Sequence, residues 1–143
     1  MYLTYEEYLE YGGELDESTF NQLEFKSAKV IDGMTGNRVG AMATVPEAVK
    51  RCEYELIRQE QLFNDSMSEV LARASHGGGT HMVASFSTDG YSETYATGTG
   101  NTGEYLQLLR SKTNEIQKRT VSDFLAYEED DNGVRLLYRG VYL

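Results

Sequence analysis

The ten residues Phe86-Ser-Thr-Asp-Gly-Tyr-Ser-Glu-Thr-Tyr95 admit few conformations. Asp89-Gly90 supplies the two positive φ angles of a type I′ turn, and aromatic and hydroxyl residues alternate on either side of it, so the stretch predicts a β-hairpin over about 83–96. A two-stranded hairpin alone is marginal in water. It needs a body to carry it, or a partner to cover it. The other long segments have helical spacing, which predicts a mainly α chain: a small bundle of three to four main helices with a projecting hairpin.

Thr4-Tyr-Glu-Glu7 is a capping box, so a short first helix is expected from there to Gly12-Gly13. Asp16 can cap the next helix, whose inward face would be Phe20, Leu23, Val30, Ile31 and Met34. Residues 35–44 read as a loop. Thr44-Val-Pro-Glu47 then opens the most strongly marked helix: Thr44 as the cap, the chain's only proline in the first turn, and Glu three residues past the cap. Val49, Cys52, Leu56, Phe63, Met67 and Val70 continue its stripe. Asn64-Asp65-Ser66 and a further capping box, Ser66 to Glu69, leave open one long helix or two abutting ones. Residues 75–80 are a glycine-rich joint. After the hairpin, Leu106, Leu109, Ile116, Val121 and Phe124 mark the inward face of a further long helix. Residues 134–143 are β-prone and predict a C-terminal strand in need of a sheet edge.

With 143 residues, the chain has the length of one domain, 1–143, and can bury a core without metals or disulfides. The single Cys52 lies on a helical stripe and reads as a buried structural thiol. No apolar run is long enough to span a membrane, and the N-terminus lacks the pattern of a signal peptide, so a soluble protein of the cytoplasm is expected. The formal charge of −10 is concentrated. Glu6, Glu7, Glu10, Glu14, Asp16 and Glu17 form one acidic run, Asp123, Glu128, Glu129, Asp130 and Asp131 another, and all 13 Lys and Arg lie outside both. Such patches repel phosphate backbones and argue against tight nucleic-acid binding. They serve equally as solvated faces. The chain has 11 tyrosines and no tryptophan. Tyr2, Tyr5, Tyr8 and Tyr11 recur every three residues, a spacing that suits either a protein interface or a packed face.

Motifs for chemistry fail on context. Gly98, Gly100 and Gly103 spell the glycine pattern of a dinucleotide loop, but a polar hairpin precedes them and Asp123 falls in a helical pattern rather than at a strand end. Glu104 stands where a Walker loop needs lysine. Glu128 to Gly133 resembles the start of a calcium loop whose twelfth position, Arg139, is wrong. His76 and His81 lack further ligands for zinc. No catalytic, cofactor or metal site is expected. A nucleotide-binding domain, or a small bacterial interaction domain using the 98–103 loop, is the alternative.

Four stretches taken together carry a resemblance: residues 2–13 (Tyr2-Leu-Thr-Tyr-Glu-Glu-Tyr-Leu-Glu-Tyr-Gly-Gly), 20–32 (Phe20-Asn-Gln-Leu-Glu-Phe-Lys-Ser-Ala-Lys-Val-Ile-Asp), 45–57 (Val45-Pro-Glu-Ala-Val-Lys-Arg-Cys-Glu-Tyr-Glu-Leu-Ile) and the 85–95 hairpin. In order and spacing they resemble the head-tail connector (adaptor, or head completion) proteins of long-tailed double-stranded DNA bacteriophages, over residues 2–125. The resemblance implies a helical, non-enzymatic virion protein that forms a ring of twelve copies under the portal. It would extend the DNA exit channel, pass DNA without specific binding, and offer a surface to the next head-completion or tail-completion protein. It implies assembly in the host cytoplasm and a final place at the head-tail interface, with no membrane and no cofactor. On that reading Tyr5, Tyr8, Phe86, Tyr91, Tyr95, Leu137, Tyr138 and Tyr142 are candidates for contacts to partners. Glu128, Glu129, Asp130 and Asp131 are candidates for the channel lining.

Overall fold

The structure is a computed structural model, and it describes residues 1–75, 82–88, 91–97 and 102–139. The element order is α1 (Tyr5–Glu10), α2 (Glu17–Thr35), a 3-10 turn (Val39–Ala41), α3 (Glu47–Ser75), β1 (Met82–Thr88), β2 (Tyr91–Thr97) and α4 (Thr102–Leu125). The chain is therefore mainly helical. It divides into two compact units, one of Met1–Arg58 with Gln117–Leu143 and one of Gln59–Ile116.

In the first unit, helix starts follow local chemistry. The Thr4 hydroxyl accepts from the Glu7 amide at 3.2 Å and the Glu7 carboxylate accepts from the Thr4 amide at 2.9 Å, so the capping box closes in both directions. Asp16 caps α2 through the Thr19 amide at 3.1 Å. That helix ends at Gly36, whose φ of 60° is the left-handed turn that releases a helix C-terminus. At α3 the expected cap is displaced: the helix begins at Glu47, and the Val49 and Lys50 amides donate to the Pro46 carbonyl. Pro46 thus takes the cap position, its carbonyl accepting the first bonds of the helix, and Thr44 lies outside it.

Two apolar clusters hold this unit. One joins Ile31, Val39, Val49, Cys52, Leu56, Val121, Leu125 and Leu136. The other is the docking site of the N-terminus: Leu3, Tyr8, Phe20, Leu23 and Ile57, with Tyr5, Tyr11, Leu15 and Tyr54 against it. In α4 Leu109, Ile116 and Val121 are buried as the sequence pattern implies, but at the C-terminal end the buried residue is Leu125, one position after Phe124, which is 40% exposed. Burial pushes the Cys52 thiol up to about 12, which makes it an inert core group.

The second unit has its own cluster of Phe63, Val70, Tyr105, Leu109 and Ile116. Glu60 is almost wholly buried there, and the Arg110 guanidinium reaches its two carboxylate oxygens at 2.8 and 3.0 Å while lying over the Phe63 ring. Helix α3 runs unbroken through Asn64-Asp65-Ser66, so the second capping box there is not used. Strands β1 and β2 pair antiparallel, with Phe86 opposite Glu93 and Thr88 opposite Tyr91. The expected turn at Asp89-Gly90, the joint at 76–80 with His76 and His81, and Gly98 and Gly100 lie outside the described residues.

The expected C-terminal strand over 134–143 is not seen in residues 134–139. A lone bridge joins Glu129 and Arg135, after which the chain turns at Leu136 and Leu137. The cause is local. The Asp130 carboxylate accepts from the amides of Asn132 and Val134, and the Leu136 amide donates back to the Glu128 carbonyl, so the segment satisfies its backbone by folding on itself rather than at a sheet edge. Residues 140–143 lie outside the described ones.

Gly13 meets the Tyr8 ring so closely that an added Cβ would lie 2.1 Å from it. Gly13→Ala is expected to displace Tyr8 and destabilise the protein by about 1–3 kcal/mol in denaturant unfolding, as overpacked cores do. Gly33→Ala, at a site with open space, is the control and is expected to leave stability unchanged or slightly raised.

Candidate functional site

The candidate contact tyrosines separate by burial. Tyr8 is 3% exposed; its ring lies 4.9 Å from Phe20 and 5.7 Å from Tyr54, and its hydroxyl accepts from the Glu14 and Leu15 amides. It is a core residue, closed to a partner in this chain's own fold. Tyr5 is half-buried, its ring 5.4 Å from Phe20 and its hydroxyl donating to the Leu15 carbonyl at 2.8 Å. Phe86, Tyr91 and Tyr95 lie on the paired strands, with Tyr95 opposite Ala84. Tyr142 lies outside the described residues. Leu137 is half-buried against the first cluster, whereas Tyr138 is half exposed under the Arg38 guanidinium.

The segment after α4 gathers the exposed candidates. Tyr127 is 84% exposed, with the Arg135 guanidinium 5.7 Å from its ring centre. Ala126, Val134, Arg135, Leu137 and Tyr138 line an open cavity of about 420 Å³ beside it. The four acids of this segment divide by role. The Asp130 carboxylate is taken up by the turn it builds, and Asp131 accepts from the Ala43 amide at 2.9 Å, tying the turn to the loop before α3. Glu129 is exposed and Glu128 half-buried, so these two carry the charge that the turn presents. The floor of the region is fixed by Leu136, which is fully buried, and by Arg38, which donates to the carbonyls of Thr35 and Leu136 at 3.2 and 3.1 Å.

A second group of polar residues escaped the sequence reading. Glu53 of α3 is fully buried, Glu24 of α2 is 5% exposed, and the N-terminal residues pack on both. The Tyr2 amide donates to Glu24 at 3.3 Å, the Met1 ammonium lies 3.9 Å from it, and the Tyr2 hydroxyl donates to Asp32. Burial and the neighbouring carboxylates hold the Tyr2 phenol above its usual range. The pattern that could have found these acids was available. Glu53 falls four residues after Val49 and four before Ile57, and Glu24 four after Phe20, so both sit on apolar stripes at helical spacing.

Among the described residues, no group of three or more His, Cys, Asp or Glu is placed to hold a metal ion, and no helix is long and apolar enough to cross a membrane. Comparison with known protein families, with curated proteins and with solved structures gives no match in any of the three.

Leu136→Ala is expected to cost about 2–5 kcal/mol in equilibrium unfolding, because it opens a cavity under the whole segment. Tyr127→Ser, on the open side of the same segment, is expected to change stability by less than about 0.5 kcal/mol. The pair separates what holds this surface from what the surface offers.

Proposed function

We propose that the protein is a head-tail connector of a long-tailed DNA bacteriophage, a non-catalytic ring subunit that docks under the portal and extends the DNA exit channel. The observation that carries the proposal is the order and spacing of four stretches, at 2–13, 20–32, 45–57 and 85–95, in one mainly helical chain. Twelve copies would match the portal, and the outer face of the ring would receive the next head-completion or tail-completion protein. On this reading the paired strands β1 and β2 would serve as a contact device, and Phe86, Tyr91 and Tyr95 would be the residues to meet a neighbouring subunit or the portal. The surface after α4 supports a docking role on physical grounds. It combines the exposed Tyr127 and half-exposed Tyr138 with stacked guanidinium groups around an apolar hollow, and aromatic and Arg residues are the types enriched at interface centres.

Acidity suits such a channel. A lumen carrying carboxylates offers phosphates nothing to pair with, so DNA slides rather than sticks. Glu128 and Glu129 are the acids of the turn to assign to this lining, since the Asp130 and Asp131 carboxylates are occupied by backbone amides.

The direct test is electron microscopy of portal-bearing capsids incubated with the protein. An added ring beneath the portal is the expected result, and capsids that stay bare overturn the proposal. Tyr138→Ala is expected to weaken ring addition at least tenfold with unfolding unchanged. Glu128→Lys with Glu129→Lys is expected to leave the ring in place and slow DNA ejection; ejection at the wild-type rate removes these residues from the channel.

A further inference from the structure

The Glu53 carboxyl poses a problem that its surroundings solve in one way. It is fully buried, and neither oxygen makes a hydrogen bond of ordinary geometry. An ionised carboxylate left in that condition costs several kcal/mol, and a buried group normally escapes by staying neutral. Glu24 beside it differs in one respect: it has donors, the Tyr2 amide at 3.3 Å and the Met1 ammonium at 3.9 Å. Two carboxylates can only accept, so as a pair of anions they repel; with one proton between them, one becomes a donor to the other. The proton belongs on Glu53, whose two oxygens receive no hydrogen bond of ordinary geometry, the nearby Leu3 amide included.

We propose that Glu53 and Glu24 form a buried acid–carboxylate pair sharing one proton, and that this pair is a pH-sensitive latch holding N-terminal residues 1–4 onto α2 and α3. The N-terminal segment is the element that moves because it covers the pair with few bonds of its own. Leu3 is buried at the site, the Tyr2 amide ends on Glu24, and the Tyr2 hydroxyl ends on Asp32. When the proton leaves, two charges face each other in a dry site, and lifting residues 1–4 lets water reach both.

The charged and titratable groups around Glu53 agree with this assignment. From α2 come Glu24 and, through Tyr2, Asp32; from the N-terminal segment come the Met1 ammonium and the Tyr2 phenol; on α3 itself lie Cys52 and Glu55. Burial first, and then the charge of Glu24 with the hydrogen bond donated to it, push Glu53 up to about 9. The Met1 ammonium and the Leu3 amide pull the other way without cancelling the rise.

The latched state therefore keeps a proton that the open, hydrated state gives up at the ordinary value of 4.5. Its stability is complete below that value and is lost progressively as pH rises to about 9. Within this window one proton leaves on opening, so the opening constant grows about tenfold per pH unit.

Hydrogen exchange of peptides covering residues 1–11, corrected for the intrinsic rate and measured from pH 6 to 8.5, reads this directly. In the wild type, protection is expected to fall about tenfold per pH unit. In Glu53→Gln, whose amide donates to Glu24 and cannot ionise, protection is expected to stay flat. Equal slopes in the two proteins, or a flat wild type, overturn the latch. The infrared spectrum of the wild type at pH 7 gives an independent reading that needs no variant. A protonated-carboxyl C=O band from a glutamate is expected, and its absence overturns the shared proton.

Discussion

A six-residue helix cannot stand by itself, and α1 exists because Tyr8 is gripped from several sides. Helix nucleation is unfavourable, and peptides far longer than this are marginal in water. The Tyr8 ring packs against Phe20 of α2 and Tyr54 of α3, its hydroxyl collects two amides of the chain that leaves α1, and Gly13 passes under its edge with no room for a side chain. That single side chain sets where the N-terminus lies. Leu3 and Tyr2 follow from it, and with them the cover over Glu24 and Glu53. The Lys50 to Glu7 ion pair at 2.5 Å adds a tie between α3 and α1 and holds the Glu7 carboxyl below its usual range, but it is partly exposed and is a lesser contributor.

What could be read from sequence followed from interactions that close within a turn of chain. Thr4 with Glu7, and Asp16 with Thr19, are contacts between residues three apart, and their chemistry is fully specified by identity and spacing. The α3 stripe from Val49 to Val70 was legible for the same reason, since a helix of that length has only one way to sort its apolar side. Errors arose where two meanings share one pattern. A tyrosine every third residue describes an interface and a packed face equally well, and only the position of Phe20 and Tyr54 decides that Tyr8 is packed. Val134, Leu136, Leu137 and Tyr138 have strand-forming side chains, yet Asp130 takes the nearby amides first. At the end of α4 the choice between Phe124 and Leu125 depends on where Ile31 and Leu136 stand, which no local rule contains.

The candidate site was legible in outline only. The acidic run at 128–131 is visible in any reading of charge, but its division into structural and presented carboxylates depends on hydrogen bonds to residues as distant as Ala43. Tyr127 and Arg135 stack across eight positions of sequence through a turn that no periodicity describes. The buried acids show the converse. Their stripe positions were written in the helical spacing, and a rule that places glutamates outside passed over them. A charged residue on an apolar stripe marks a position where some special chemistry has to keep it there.

The first unit is assembled from residues Met1–Arg58 and Gln117–Leu143, and Arg38 donates to the carbonyl of Leu136 across 98 positions of sequence. Synthesis imposes an order on that closure. While the ribosome is still making α4, Ile31, Val39 and Leu56 are already made and wait for Val121, Leu125 and Leu136, their apolar faces open to whatever is nearby. Closing a loop that long is slow, and transiently open apolar surface is what chaperones bind. The cluster that joins Ile31, Val39 and Leu56 to Val121, Leu125 and Leu136 is thus the last part of the first unit to close, even though most of its side chains are made early.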